Sequence, residues 1–445
     1  MRFKQGLLAL LGAAAVAFGA SADPSVTINS VRQNYPWNNT VEINYTIGGT
    51  KASSDTLYAL SYSYATSTGG TKTAIPASDM SGTAMVDSDD FQISGTYTAI
   101  WTAPAGISTD TAELTIEVQD VTEQGTPATE ANATYMVVRL DNGKVYYRTW
   151  ASQDAANTAY NTDEYKTTKM VFRKVPVGTY QTGFSGESTG NDPKSWNLSS
   201  FGSGKSYWIG VFQVTQAQYE LIGATAGSTP SNFKSVSTGG TFPDAYATTG
   251  LRPVEQVSWQ DIRDSSAASA AVTLGGVTAD SSGTFLQRLN AKTESGAGVT
   301  GFDLPTEVMF EIAERAGATT KYWWGSSQDA ASNGQWHTIN SSNSGSRTVE
   351  VGRTIPNAWG LYDMAGNVWE WCLDQSDYSN DKQMANRTSP YVPYSGGSSS
   401  NRRSRGGGNW NFAPSNDYFA ASYRGHATPS SRSNYIGFRV ARVCP

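Results

Sequence analysis

The sequence predicts two folded regions of different class, an all-β sandwich followed by a larger, irregular α+β domain, and three observations predict it. Short apolar alternations separated by turn formers fill the chain up to about Val121. Beyond that point helical signals are few and brief. The whole chain carries 44 Gly, 13 Trp and 23 Tyr against 16% charged residues, a composition with little material for long charged helices.

The chain opens with Arg2 and Lys4, an apolar stretch from Leu7 to Phe18 and the small-residue triplet Ala20-Ser21-Ala22. That is the pattern of a secretory signal peptide over residues 1–22, with cleavage expected before Asp23. The stretch is short for a bilayer span and no later segment reads as a membrane helix, so the expected destination is the periplasm, the cell surface or the medium. No cysteine stands near the cleavage site, which argues against a lipid anchor there. Residues 23–121 then alternate as Val26/Ile28, Val41/Ile43/Tyr45/Ile47 and Leu114/Ile116/Val118, broken by Ser67-Thr68-Gly69-Gly70 and Pro104-Ala105-Gly106. They read as a β-sandwich of immunoglobulin-like type without a disulfide, a module that serves as a spacer or stalk. Residues 122–134, rich in Thr, Glu and Ala with Pro-Gly punctuation, read as a linker.

The second domain is expected over residues 135–445, opening with a strand from Tyr135 to Leu140. Its helices are expected at Thr215 to Ile222, at Ser258 to Ser265 and at Pro305 to Ala316. Ser258 with Asp261 three residues on has capping-box spacing, Pro305 suits a first helical turn, and Gly317 suits a stop. The remainder reads as loop and short strand, and irregular backbone of that extent needs internal hydrogen-bond partners.

Net charge is −6, with acids and bases interspersed and no basic stripe, which argues against a nucleic-acid partner. The two cysteines, Cys372 and Cys444, are expected to form one disulfide in an oxidising compartment, with two unpaired thiols as the alternative.

Several stretches of the second domain, in order, resemble the formylglycine-generating enzyme (sulfatase-modifying factor) family, a branch of the C-type-lectin-like folds. They are MVFRKVPVGTYQTG from Met170, YWIGVFQVTQAQYE from Tyr207, RPVEQVSWQDI from Arg252, FDLPTEVMFEIAERAG from Phe302, YWWG from Tyr322, NAWGLYDMAGNVWEWC from Asn357, RGGGNW from Arg405 and IGFRVAR from Ile436. The resemblance implies an irregular α+β fold of that kind. Within these motifs Trp359, Trp369 and Trp371 read as buried packing residues, and Arg315 and Arg439 as residues that hold loops. Glu307 and Glu311, one helical turn apart, suit acid/base chemistry or, more blandly, the pairing of buried arginines. The stretch from Asp363 to Glu370 matches one that surrounds a calcium ion in the family's enzymes. On that resemblance Asp363 and Glu370 supply side-chain oxygens and Gly366 and Val368 main-chain carbonyls to Ca²⁺. Carboxylates that merely cap loop N–H groups are the alternative, and the sequence leaves both open.

The family's oxidase chemistry resembles a copper-thiolate one and needs two cysteines after the Gly-Gly-aromatic motif. Those positions fall on Phe412 and Asp417, so neither copper nor a catalytic residue is expected. The iron-dependent sulfoxide synthases of the same fold need histidines, and the only two here, His337 and His426, stand in different loops. No Ser-His-Asp or phosphate-loop pattern is present.

The segment from Asn409 to Ile436, NWNFAPSNDYFAASYRGHATPSSRSNYI, contains no Lys, Glu, Gln or Met. Asn codons randomised at their two adenines yield Asn, Tyr, Ser, Asp, Phe, Ala, Gly, His and Arg but none of those four. The segment thus resembles the variable region of target proteins of diversity-generating retroelements, with Asn409-Trp410 and Ile436-Gly437-Phe438-Arg439 matching its borders. That resemblance implies a polar and aromatic binding face of paratope composition. Its contact candidates are Asn411, Phe412, Ser415, Asn416, Asp417, Tyr418, Ser422, Tyr423, His426, Ser430, Ser433 and Tyr435. Trp369, Trp371, Trp410 and Arg439 would hold the scaffold. The partner would be a protein or glycan on another cell, a phage or a host surface. An enzyme with an unrecognised centre and a purely structural envelope protein are the competing readings.

Overall fold

A computed structural model describes residues 25–33, 39–48, 58–76, 79–82, 95–107, 112–120, 125–185, 193–200, 205–223, 229–234, 249–263, 271–329, 331–332, 335–375, 387–395, 402–405, 407–414 and 417–445. The signal peptide expected over residues 1–22 lies outside the described residues. The chain divides into two compact units, one up to Gln124 and one from Gly125 to Pro445.

In the first unit, strands β1 (Ser25–Gln33), β2 (Thr40–Gly48), β5 (Met80–Gly82) and β6 (Gly95–Thr102) form an antiparallel sheet in the order β1-β2-β6-β5. Strands β3 (Tyr58–Ala65), β4 (Thr73–Ala74) and β7 (Glu113–Asp120) form a second, in the order β4-β3-β7. The period of two in the sequence is the cause: Val41, Ile43, Tyr45 and Ile47 of β2 are all buried, while Glu42 between them faces out. Tyr62 of β3 donates its hydroxyl proton to Tyr45 of β2 at 3.1 Å, a buried polar contact linking the two sheets.

The second unit is built on an antiparallel six-stranded sheet of β8 (Thr126–Pro127), β9 (Tyr135–Arg139), β10 (Val145–Thr149), β11 (Lys169–Val175), β14 (Tyr207–Gly210) and β21 (Ala441–Val443), in the order β21-β14-β11-β9-β10-β8. Thr126 and Pro127 pair with Thr149 and Arg148, so residues from 125 onward that read as linker belong to this unit. Alternate residues of the central strands feed two separate cores. Val137, Val171 and Ile209 enter one, and Met136, Val138, Met170, Phe172 and Trp208 the other.

Among the described residues five α-helices pack around this sheet: α1 (Gln153–Tyr160), α2 (Gln216–Gly223), α3 (Trp259–Ile262), α4 (Phe285–Ala297) and α5 (Glu307–Arg315). Helix α2 is displaced by one residue from the expected span. Helix α3 has the Ser258/Asp261 capping box but ends at Ile262 rather than Ser265. Thr306, not Pro305, caps α5, and Ala316 at φ 47° takes the left-handed stop expected of Gly317. Helices α1 and α4 were not expected from the sequence. Short hairpins complete the unit, β12 (Thr179–Thr182) with β13 (Lys194–Asn197) and β15 (Ala331–Ser332) with β16 (Gln335–Trp336).

A second sheet positions the site, in the order β19-β18-β17-β20, from β17 (Trp369–Gln375), β18 (Arg402–Arg405), β19 (Gly425–Ala427) and β20 (Ile436–Gly437). Strand β20 runs parallel to β17, with Ile436 opposite Trp369 and Gly437 opposite Glu370. Gly437 is obligatory here, because a Cβ would stand 2.4 Å from the Val254 carbonyl oxygen.

The proposed disulfide is not formed. Cys372 and Cys444 are both buried as thiols, and neither is in a disulfide. Cys372 belongs to one core and Cys444 to the other, where Ser206 Oγ donates to the Cys444 sulfur at 3.2 Å. Compartment chemistry favours a bridge but does not bring Cα atoms into range.

Candidate ligand-binding face

The segment from Asn409 to Ile436 is held at both borders. The Trp410 N–H donates to the Asn367 carbonyl at 2.9 Å, and its indole N–H to the Asn434 carbonyl at 2.9 Å. Trp369 donates its main-chain N–H to Tyr435 at 2.7 Å. Beneath these contacts lies a buried frame. The Trp371 indole donates to Val257 O at 3.0 Å. The Arg439 guanidinium forks onto Glu370 at 2.6 and 2.8 Å and donates on to the carbonyls of Gly210 and Tyr362. Both Glu370 and Arg439 are fully buried, so each charge depends on the other. The loop-holding role read for Arg439 and Arg315 is what these contacts describe, Arg315 binding Glu311 at 2.9 Å and the carbonyls of Thr320 and Gly183.

Above the frame, Phe412, Tyr418 and Tyr423 form one half-buried aromatic group. Phe412 stacks on Tyr418 with centroids 4.2 Å apart, and Tyr418 meets Tyr423 edge-on at 4.8 Å. Trp369 contacts Phe412 at 5.3 Å and Tyr423 at 6.3 Å. Trp369 is itself half-buried, with no hydrogen-bond partner for its indole N–H among the described residues. It is the floor of this group rather than the buried packing residue that its motif predicts. Trp359 is likewise half-buried, edge-on to Tyr180.

The other candidates are distributed more widely. Asn411, Asp417, His426, Ser430 and Tyr435 are exposed, and Ser433 is half-buried. Tyr435 leans on Trp410 at 6.4 Å. The Asp417 carboxylate accepts from Lys321 at 2.6 Å and Gln328 at 3.0 Å, and the lysine contact above all holds it below the usual carboxylate range. Ser415 and Asn416 lie outside the described residues. Ser422 is a correction: it is fully buried, and its carbonyl accepts from Arg424 at 2.7 Å, so its side chain is not on the face.

Three features escaped the sequence reading. Arg424, inside the segment, is buried and sits 3.6 Å from Glu307 and 3.4 Å from Glu311. Glu307 also pairs with Arg387 at 2.6 Å and Glu311 with Arg315 at 2.9 Å, the arginine pairing that is the blander of the two readings of these glutamates. Tyr322, Trp323 and Trp324 pack with Phe412, Phe419 and Tyr423 in one cluster, bringing an aromatic run from outside the segment beside it. His337 lies flat on Trp324 at 5.4 Å and edge-on to Trp323 at 5.1 Å, and burial lowers its pKa. The YWWG run was the available signal.

The residues assigned to calcium do converge, with one change of atom. The main-chain oxygens of Asp363, Gly366 and Val368 and Glu370 Oε1 surround the side-chain nitrogen of Gln213, at 3.2, 3.3, 3.1 and 3.0 Å. The Asp363 carboxylate points elsewhere, accepting from the Gly352 N–H at 2.7 Å and the Thr354 hydroxyl at 2.9 Å. Gly366, at φ 90°, lets the loop close, since a Cβ there would meet Ile339 O at 2.4 Å. Among the described residues no group of three or more His, Cys, Asp or Glu side chains is placed to hold a metal ion.

Residues 136–444 match the family described as sulfatase-modifying factor enzyme 1-like domain, which is more than half of the chain. The chain belongs to this family. It is 34% identical over 153 residues to a formylglycine-generating enzyme of Streptomyces coelicolor, covering 32% of this chain and 46% of that protein. It is 30% identical over 148 residues to the inactive C-alpha-formylglycine-generating enzyme 2 of Bos taurus, covering 32% of this chain and 44% of that protein. The matched stretch thus spans about half the length of these curated relatives, which include catalytic and inactive members of the family. Among solved structures the chain is similar to Treponema denticola variable protein 1, with 26% identity, coverage of 62% of this chain and 95% of that one, and a TM-score of 0.45. It is also similar to PvdO from Pseudomonas aeruginosa, with 20% identity, coverage of 61% and 94%, and a TM-score of 0.43. No helix among the described residues is long and apolar enough to cross a membrane.

Proposed function

We propose that this chain is an exported, non-catalytic ligand-binding protein that presents the segment from Asn409 to Ile436 as a variable face on the family's scaffold. The observation that carries this reading is the group of Phe412, Tyr418 and Tyr423 packed on one another and beside Trp369, each half-exposed. Rigid rings ringed by small polar residues supply contact area at low entropic cost, the division of labour of a paratope. The two positions that the resemblance assigns to copper thiolates support the same reading. One holds a stacked phenyl ring, and the other a carboxylate tied to Lys321. Neither is a soft ligand for Cu(I). The partner is a protein or glycan on another cell, a phage or a host surface, and the immunoglobulin-like first unit serves as its spacer.

The test is a variant with Phe412, Tyr418 and Tyr423 all changed to Asn, compared with the parent on a glycan array and on whole-cell surface panels. The reading expects binding to fall at least about 30-fold, the equivalent of about 2 kcal/mol for a hot-spot ring, with the fold retained. Equal binding by both proteins would refute it.

A further inference from the structure

The oxygen cage around Gln213 has more acceptors than its occupant has protons. An amide NH₂ group offers two hydrogens, yet four oxygens from Asp363, Gly366, Val368 and Glu370 stand within 3.3 Å of it. Three main-chain carbonyls aimed at one point, closed by a carboxylate, is a geometry made for a hard cation. An amide does not call for it. Gln213 is fully buried, and its own carbonyl oxygen has no donor among the described residues. A cage built around an amide from the outset would have supplied one.

Charge decides what the cage can hold. Among the described residues Glu370 is the only carboxylate that reaches it, and Arg439 already neutralises that group through two hydrogen bonds while also donating to the Tyr362 and Asp363 carbonyls. The Asp363 carboxylate is spent on Gly352 and Thr354. A divalent ion brought here would therefore carry its full charge into a fully buried, electrically balanced site, which is costly without compensating anions. It would also need oxygens at about 2.3–2.6 Å, where the amide now keeps them apart.

We infer that Gln213 is a built-in substitute for the cation, its side-chain NH₂ bridging the loop from Asp363 to Glu370 so that the scaffold stays ordered without calcium. The resemblance to the family's enzymes places Ca²⁺ at these residues, and this chain departs from that expectation through one side chain contributed from the turn after β14. Gln213→Glu restores the missing charge without changing shape. It places two carboxylates and three carbonyls opposite one guanidinium, a net negative cage.

The experiment uses the full mature chain. Elemental analysis after dialysis against CaCl₂, and thermal melts with CaCl₂ or EDTA, are run on the parent and on Gln213→Glu. The parent is expected to hold no stoichiometric Ca²⁺ and to melt identically in both buffers, whereas Gln213→Glu gains one Ca²⁺ per chain and a melting temperature that EDTA lowers by several degrees. One Ca²⁺ per parent chain, or a folded Gln213→Glu protein that binds none, overturns the inference. Should Gln213→Glu not fold, Gln213→Met carries the test by removing the amide at similar volume. The inference requires a loss of several degrees that Ca²⁺ does not restore. An unchanged melt, or rescue by Ca²⁺, contradicts it.

Discussion

Two sets of aromatic and charged residues meet along β17 and do opposite work. In the frame, Trp371, Glu370 and Arg439 are fully buried, and their polar atoms are spent on one another, on Gln213 and on main-chain carbonyls. On the face, Phe412, Tyr418 and Tyr423 are half-buried, packed on one another, on Trp369 and on the cluster of Tyr322 and Phe419. The difference teaches that the segment is secured by its borders and by a few inward residues, Phe419, Ser422 and Arg424 among them, while the aromatic face stays half-exposed. Trp410 and Ile436 are each pinned to β17 or the loop before it, so the chain between them is free to change as long as its few inward residues do not.

The sharpest break in this comparison is Arg439→Met, which leaves Glu370 buried and unpaired. The expected loss is about 3–5 kcal/mol in denaturant unfolding, and a loss under about 1 kcal/mol would mean that the pair is not the frame's keystone. Next comes Ser422→Asn. Ser422 has the composition of the face but the burial of the frame, so the larger side chain is expected to cost about 1–3 kcal/mol through overpacking. A neutral result would return it to the face.

A third test uses pH. Glu255 accepts from the Phe233 N–H, beneath the ring that meets Trp410 edge-on at 5.3 Å, and burial pushes its carboxyl up to about 7. A carboxyl whose folded pKa lies above its unfolded value binds its proton more tightly when folded. Its contribution is present at low pH and lost as pH rises from the ordinary carboxylate range through about 7. The melting temperature should therefore decline over that window, and Glu255→Gln should flatten the decline. A slope of the same size in the variant would assign it to other groups. The smallest effect concerns the thiols: because neither is in a disulfide, reductant should leave the melting temperature unchanged, and both should alkylate in denaturant without reduction. Protection of both thiols in denaturant would reinstate the bridge.

Much of the frame was legible because its signals are local. The apolar run of β9, the Ser258/Asp261 capping box and the Glu307/Glu311 spacing each fall within a few residues. Helix α4 was missed although Thr284 and Gln287 form a capping box, since Asn290 and Thr293 on its buried side interrupt the apolar stripe. Gln213 was invisible for another reason. It meets its cage across a separation of 150 residues or more, and nothing near it in sequence marks an amide as the partner of four oxygens. The disulfide failed similarly, because cysteine count and compartment carry no information about which core each thiol enters.

The most direct measurement replaces every codon from Asn409 to Ile436, together with those for Glu370, Trp371 and Arg439, by asparagine-derived codons one at a time. Each displayed variant is then scored for protease resistance. The account predicts that Asn411, Phe412, Asp417, Tyr418, Tyr423, His426, Ser430 and Tyr435 accept most substitutions with shifts under about 0.5–1 kcal/mol, while Trp371, Trp410, Glu370, Arg424 and Arg439 accept almost none. If Phe412, Tyr418 and Tyr423 prove as intolerant as Trp371, they are core, and the variable face does not exist.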